Sequence, residues 1–187
     1  MESLLAEPPS STTYPRFSWI DPRIEIRGSD IEGLGMFARA GLRAGDVVIR
    51  WGGVLMNRAE ILAGKARLQS IISVDDGRYL VDPLGPTAQP DEYMNHSCDS
   101  NLWMLDSTTL AARRDIRAGD EITCDYGLFH NANWCLDASY RMLCRCDSHQ
   151  CRGTITAEDF KIPAVMAAYG DHVAHYLVAD RALVAVG

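Results

Sequence analysis

Four chemically different side chains follow one another in a short central segment of the chain. They are the amide of Asn95, the imidazole of His96, the hydroxyl of Ser97 and the thiol of Cys98. Asn, Ser and Asp are favoured in turns because they form hydrogen bonds with nearby backbone, so the segment alone predicts a polar turn with one buried cysteine. A functional role is favoured because two distant segments look incomplete without this one.

The first incomplete segment contains three cysteines within eight residues: Cys144, Cys146 and Cys151. A tetrahedral zinc site needs four ligands, and Cys98 could supply the fourth. The six cysteines of the chain are unevenly spaced, which favours a metal site over a disulfide framework. The second segment, residues 121–127, is a short β-like run that ends in Tyr126 and a glycine.

Length and composition predict one main domain with appendages, since the chain has 187 residues, 47% of them hydrophobic and 23% charged. The net charge of -7 argues against a broad nucleic-acid surface and suits a basic peptide partner. The first ten residues lack the features of a secretory signal, and no apolar stretch is long enough to cross a bilayer. We therefore expect an intracellular chain with no membrane or direct nucleic-acid contact, whose thiols stay reduced.

Short strands separated by Gly, Asp and Pro are predicted through most of the chain. They cover residues 24–26, 36–38, 47–51, 71–74, 79–81, 102–105, 109–112 and 121–123. Residues 1–15 are rich in Pro, Ser and Thr and show no periodicity, so they predict a flexible lead-in.

Two helical regions are also predicted. Asn57 can cap the first, because Glu60 follows at the capping-box position. The second is predicted to begin near Thr156, with Asp159 at the box position, and to break at Gly170. These helices interrupt or follow the strands, and the pattern predicts a β-rich α+β fold.

Four segments, residues 33–38, 95–101, 121–127 and 144–151, resemble the SET-domain protein lysine methyltransferases that carry a post-SET cysteine segment. They also stand in the order found in that family, which a chance match would rarely reproduce. The resemblance implies a SET (β-clip) fold of short strands and small sheets, with a C-terminal pseudo-knot and C-terminal helices. It implies a SET domain at residues 16–137, a zinc-bound post-SET segment at 138–155 and a helical extension at 156–187.

The resemblance also implies S-adenosylmethionine as the methyl donor. It assigns the loop that approaches this donor to Gly33, Leu34 and Gly35. It assigns hydrogen bonds with the amino and adenine ends of the donor to Asn95 and His96.

For catalysis, Tyr126 matches the family's main catalytic tyrosine, next to the donor, and Trp51 matches a position in the channel for the substrate lysine. Cys124 stands where the family usually has the phenylalanine or tyrosine that limits how many methyl groups fit. We therefore hypothesise that this protein adds more than one methyl group. The structural zinc ligands would be Cys98, Cys144, Cys146 and Cys151.

Some positions depart from the family pattern. Glu92 stands where many members have an arginine near the carboxylate of the donor, and residues 70–74 lack a tyrosine that often contributes to the channel. The leading interpretation is a lysine methyltransferase acting on a protein tail, histone or histone-like by resemblance, in the cytoplasm, or in the nucleus or on chromatin of a eukaryote. The alternatives are an inactive SET-like module that binds peptide or acts as a scaffold, and a secreted protein held by disulfides.

Overall fold

Short apolar runs separated by turn residues fold into four small sheets in the computed structural model, which describes residues 14–67, 70–75, 77–82, 88–130 and 139–178. The strands are β1 (Trp19–Ile20), β2 (Ile24–Gly28), β3 (Leu34–Ala38), β4 (Val47–Arg50), β5 (Val54–Asn57), β6 (Ile72–Asp75), β7 (Arg78–Val81), β8 (Asn95–His96), β9 (Leu102–Asp106), β10 (Thr109–Ala112), β11 (Glu121–Cys124), β12 (Arg141–Leu143) and β13 (Thr154–Thr156). All eight predicted strands are present, and the β-rich α+β fold is confirmed.

Two four-stranded sheets carry most of these strands, in the orders β1-β4-β10-β9 and β2-β3-β11-β8. A three-stranded sheet, β5-β7-β6, and the β12-β13 pair complete the fold. The β8–β11 pair is parallel, with Thr123 opposite Asn95 and Cys124 opposite His96. Strand β11 thus lies between β3 and β8, and its end is fixed beside the Asn95–His96 segment.

One large apolar core joins these elements. Ile49 and Leu110 of one sheet and Ile122 of the other are buried in it, and so are Tyr169 and Leu177 from the C-terminal region. Burial of such side chains is the main favourable term in folding. The C-terminal region therefore packs onto the sheets as part of the same core.

Helix α1 (Arg58–Leu62) begins as predicted. The side chain of Asn57 accepts a hydrogen bond of 3.0 Å from the backbone N–H of Glu60, and the Glu60 carboxylate accepts one of 3.0 Å from the N–H of Asn57. This reciprocal capping box satisfies two N–H groups at the start of the helix. The helix buries Ile61 against a small apolar cluster under the β5-β7-β6 sheet.

The predicted start of the second helix near Thr156 is wrong. The backbone of Thr156 pairs with Arg141 as part of the β12–β13 pair, and helix α2 (Pro163–Tyr169) begins seven residues later, at a proline whose missing N–H is not needed in the first turn. Asp159 does accept hydrogen bonds from the N–H and hydroxyl of Thr156, but it does so within a short 3-10 turn. The predicted break at Gly170 is confirmed, because this glycine ends α2 with a φ of 53°.

None of the helices in the described ranges is long and apolar enough to cross a membrane. Of the predicted lead-in, only Tyr14 and Pro15 fall within the described residues. The carbonyl of Pro15 accepts a hydrogen bond of 2.8 Å from the N–H of Gly53, so the chain is attached to the sheets from this point.

Candidate functional site

The four cysteines predicted as metal ligands come together, although 46 positions separate Cys98 from Cys144. Their Sγ atoms all lie within 4.8 Å of one another, and those of Cys98 and Cys144 are 3.8 Å apart. Zinc–sulfur bonds of about 2.3 Å in a tetrahedron place neighbouring sulfurs about 3.8 Å apart. The group, here called the cysteine cluster (Cys98, Cys144, Cys146, Cys151), therefore fits a four-thiolate zinc site.

Backbone N–H groups point at the sulfur atoms of the cysteine cluster. The donors are Cys98 to Cys146 at 3.5 Å, Arg152 to Cys98 at 3.3 Å and Gly153 to Cys151 at 3.4 Å. Burial raises the pKa of the Cys98 thiol to about 11, so its ionisation needs a nearby positive charge, which a bound metal would provide. The five cysteines in the described ranges are free of disulfides, and Cys135 lies outside those ranges.

His96 connects this cluster to Tyr126. Its Nδ1 accepts a hydrogen bond of 3.1 Å from the backbone N–H of Tyr126, so the ring proton must lie on Nε2, which faces the Cys98 sulfur at 3.3 Å. Burial lowers the pKa of His96 to about 4, and the ring is neutral at pH 7. The imidazole thus contacts Cys98 of the cysteine cluster on one side and the backbone N–H of Tyr126 on the other.

Asn95 holds the predicted donor loop in place. Its Nδ2 lies 2.8 Å from Glu121 Oε1, 3.0 Å from Ser29 Oγ and 3.1 Å from the Leu34 carbonyl. An amide carries two hydrogens, so these acceptors share them. No described residue forms a hydrogen bond with Asn95 Oδ1, which remains available as an acceptor.

The loop itself exposes bare backbone. Gly33 has a φ of 49°, and a Cβ atom at this position would meet nothing within 4 Å. Leu34 is 46% exposed. Gly35 has no such free space, since a Cβ there would come within 2.3 Å of Glu121 Oε1. An open backbone beside an apolar side chain and a free amide oxygen could hold a cofactor that carries an amino group.

Tyr126 begins a 3-10 turn, Tyr126–Leu128, and Asp125 separates this turn from the end of β11. Its hydroxyl donates a hydrogen bond of 2.8 Å to the carbonyl of Met94. The oxygen therefore keeps its lone pairs as acceptors for another group. Burial raises the pKa of Tyr126 above its ordinary value of 10.0, so the group stays a neutral phenol at pH 7.

Rings surround Tyr126 in what we call the aromatic cluster: Trp51, Tyr126, Phe129, His130 and Tyr140. Ring centroids are 5.3 Å apart for Trp51 and Phe129, 5.7 Å for Phe129 and Tyr126, 4.8 Å for Tyr126 and His130, and 5.6 Å for His130 and Tyr140. Trp51 was singled out by resemblance alone. The sequence signal for Phe129 and His130 is only that they follow Tyr126 closely, and no sequence pattern singles out Tyr140.

Cys124 is fully buried at the end of β11. Its Sγ lies 3.7 Å from the carbonyl of Asp125. Burial raises the pKa of this thiol well above 9.0, so it is neutral and unreactive as a nucleophile. At this position the side chain is uncharged and small.

Glu92, the residue that departs from the family pattern, is paired with a cation. Its carboxylate is buried, lies 3.1 Å from Nε of Arg67, and accepts a hydrogen bond of 2.8 Å from the N–H of Gln89. The negative charge of Glu92 is thus balanced by Arg67, which precedes β6 in the chain. Repulsion of a nearby anionic group is weakened accordingly.

Comparison with known proteins gives a consistent result. A sequence model described as the SET domain matches residues 33–127. The chain is 29% identical over 147 residues to histone-lysine N-methyltransferase ATX2 of Arabidopsis thaliana, covering 71% of the chain and 13% of that protein. It is 29% identical over 168 residues to histone-lysine N-methyltransferase ash1 of Drosophila melanogaster, covering 79% of the chain and 7% of that protein. The chain thus spans only a small part of these relatives.

A human relative and a solved structure agree with these matches. The chain is 27% identical over 146 residues to the human histone-lysine N-methyltransferase, H3 lysine-36 specific, covering 71% of the chain and 5% of that protein. The crystal structure of the methyltransferase domain of human histone-lysine N-methyltransferase SETMAR superimposes with a TM-score of 0.55 at 19% identity, covering 72% of the chain and 58% of that structure. At this identity the structural match supports the fold alone.

Proposed function

The chain belongs to the SET-domain family, and we propose that it is a protein-lysine N-methyltransferase that uses S-adenosylmethionine to methylate a lysine of a protein tail. The observation that carries the proposal is the position of Tyr126, whose hydroxyl is oriented by Met94 inside the aromatic cluster and beside Asn95–His96. The names of the relatives support a histone or histone-like substrate. We accordingly propose an intracellular protein, which acts in the nucleus or on chromatin if its host is a eukaryote.

S-adenosylmethionine, when bound, supplies a sulfonium methyl group, whose bond to sulfur breaks as the bond to the lysine nitrogen forms and the positive charge passes to nitrogen. The reaction needs the three atoms in line, so the protein contributes mainly positioning. Gly33 and Leu34 offer exposed backbone for the donor, and Gly35 lets the loop pack closely against Glu121. Asn95 Oδ1 can accept a hydrogen bond from the amino group of the donor, because the Asn95 amide contacts the loop only through Nδ2. We assign contact with the adenine end to the backbone of His96, because both of its ring nitrogens already face partners within the protein.

The aromatic cluster would favour the neutral form of the substrate lysine. A free lysine has a pKa of about 10.4, so deprotonation at pH 7 costs about 4–5 kcal/mol. Enclosure by Trp51, Phe129 and the other rings excludes water and favours the neutral amine. The hydroxyl oxygen of Tyr126 can then accept a hydrogen bond from an N–H of this amine. That contact turns the lone pair of the amine nitrogen toward the methyl group. No carboxylate base is needed.

The cysteine cluster would hold one structural zinc ion. All four positions are thiolates, so no coordination site stays open for water and the metal takes no part in the chemistry. Its role is to attach residues 144–151 to the Asn95–His96 segment through Cys98. This attachment would complete the wall of the substrate channel.

The small volume of Cys124 predicts that the protein adds more than one methyl group. Replacing Cys124 by phenylalanine should restrict the product to monomethyl-lysine, because the larger ring takes up the space that extra methyl groups need. Mass spectrometry of a methylated peptide under excess donor measures the product states. Cys124→Ser, of similar size, should keep the wild-type distribution. Wild-type product that stops at monomethyl-lysine would contradict the prediction, whether or not the phenylalanine variant folds.

The proposed function is tested by donor binding followed by methyl transfer. Calorimetry with S-adenosylmethionine should show binding at one site per chain. A tritiated-methyl assay on an array of lysine peptides should then identify a substrate. Failure to bind the donor would overturn the proposal and favour the inactive module that binds peptide or acts as a scaffold.

A further inference from the structure

Arg152 directly follows the last residue of the cysteine cluster, and its side chain turns back into the protein. Its guanidinium donates two hydrogen bonds of 2.7 Å to the two oxygens of Asp125 and a third, of 2.8 Å, to Asp159. The side chain of Arg152 is 14% exposed, and those of Asp125 and Asp159 are 0% and 2% exposed. Buried charges of this kind are kept only when they are paired.

Both ends of Arg152 contact residues of the candidate site. Its backbone N–H donates to the Cys98 sulfur at 3.3 Å. At the other end, Asp125 accepts the guanidinium with both oxygens and also accepts a hydrogen bond of 2.9 Å from the N–H of Gly127. Asp125 thereby caps the turn that carries Tyr126. One residue thus connects the cysteine cluster with the tyrosine turn.

The form of the contact with Asp125 limits movement of that turn. Two parallel bonds between a planar guanidinium and a carboxylate fix orientation as well as distance, which a lysine ammonium cannot do. The contact with Asp159 differs, because it is a single bond to a residue of the following 3-10 turn. Asp159 also lies beside Gly127, but its carboxylate forms its hydrogen bonds with Arg152 and Thr156. Within the described ranges, only Asp125 joins the guanidinium to the Tyr126 turn through hydrogen bonds.

We propose that Arg152 is a positioning residue, which holds the carboxylate of Asp125 and, through it, the turn of Tyr126 in register with the cysteine cluster. The inference rests on the proposed function of Tyr126 as the group that orients the lysine amine. A displacement of about 1 Å at a reacting centre can lower a rate by about 10²-fold. The tyrosine hydroxyl therefore needs a fixed support, and the residue that follows the last cysteine provides it.

The test is Arg152→Lys, which keeps the positive charge and removes the two-bond contact. We expect kcat to fall by about 10- to 100-fold, with the KM for peptide and the Kd for donor within about 3-fold of wild type and with unchanged zinc content. Amide hydrogen exchange of the 125–128 turn should become faster. All assays are run well below the melting temperature of each variant.

Asp159→Asn is the matched control, because it weakens the other bond of the same guanidinium. It should lower the melting temperature and leave both kcat and the exchange rate of the 125–128 turn at wild-type values. If Arg152→Lys cannot be purified in folded form, Asp125→Asn weakens the same pair from its other side and should lower kcat and speed exchange in the same way.

Two results would overturn the inference. One is a kcat of Arg152→Lys within about 3-fold of wild type, and the other is a kcat of Asp159→Asn that falls as far as that of Arg152→Lys. A wild-type protein that transfers no methyl group would instead refute the proposed function. In that case the inference about Arg152 would be tested by hydrogen exchange alone. An unchanged exchange rate of the 125–128 turn in Arg152→Lys would contradict it.

Discussion

Replacing Tyr126 by phenylalanine is expected to lower kcat by about 10²- to 10³-fold, the usual effect of removing one oriented polar group from an active site. The ring would remain in the aromatic cluster, so the channel keeps its shape. The variant loses only the hydroxyl, which Met94 holds at 2.8 Å. Without it, the incoming amine has no acceptor that turns its lone pair toward the methyl group.

The measurements are kcat from tritiated-methyl transfer and the donor Kd from calorimetry, which should stay within about 3-fold of wild type. Tyr169→Phe is the matched control, since Tyr169 is also a buried phenol and its oxygen lies 3.1 Å from the Ser100 hydroxyl. Loss of that hydrogen bond should lower the free energy of unfolding by about 1 kcal/mol and leave kcat unchanged. If Tyr126→Phe kept a third or more of the wild-type kcat, Tyr126 would not have the assigned role.

Sequence patterns predicted eight of the thirteen strands in the described ranges, because the composition and punctuation of those runs are local properties. They did not predict β8, whose residues Asn95 and His96 are polar and have no strand propensity. These two residues are extended because β11 pairs with them. That pairing is a tertiary contact, which local preference does not encode.

The C-terminal region illustrates the same limit. The Thr156–Asp159 spacing correctly indicated a side-chain hydrogen bond with backbone. It did not indicate whether a helix or a shorter turn would follow. Pairing with Arg141 in β12 takes Thr156 into a strand, so tertiary structure overrides the helix signal.

The sequence predicted the types of residue in the candidate site better than the contacts between them. Three clustered thiols and one distant thiol predict a metal site from ligand number alone. The contact between Arg152 and Asp125 spans 27 positions and has no local signal. The neutral state of His96 and its proton on Nε2 also follow only from the neighbours that the fold provides.

Loss of the metal should have the largest effect on the protein as a whole. Purified protein is expected to carry about one zinc ion per chain, and Cys98→Ser should lose it. Cys98 joins the Asn95–His96 segment to Cys144, so without it residues 144–151 would detach from the channel and Arg152 would lose a fixed support. We expect kcat to fall by at least about 10²-fold, with chelation of the wild-type zinc giving the same result.

The body of the protein should nevertheless remain folded in Cys98→Ser, because the large apolar core does not include the cysteine cluster. A lower melting temperature with an unchanged far-UV circular dichroism spectrum would report this. Cys124→Ser is the control for metal content, since Cys124 is buried outside the cluster and its variant should keep the zinc. Zinc affinity should also fall as the pH is lowered, because protons compete for the thiolates. A zinc-free protein with full kcat would show that the cysteine cluster does not support the active site.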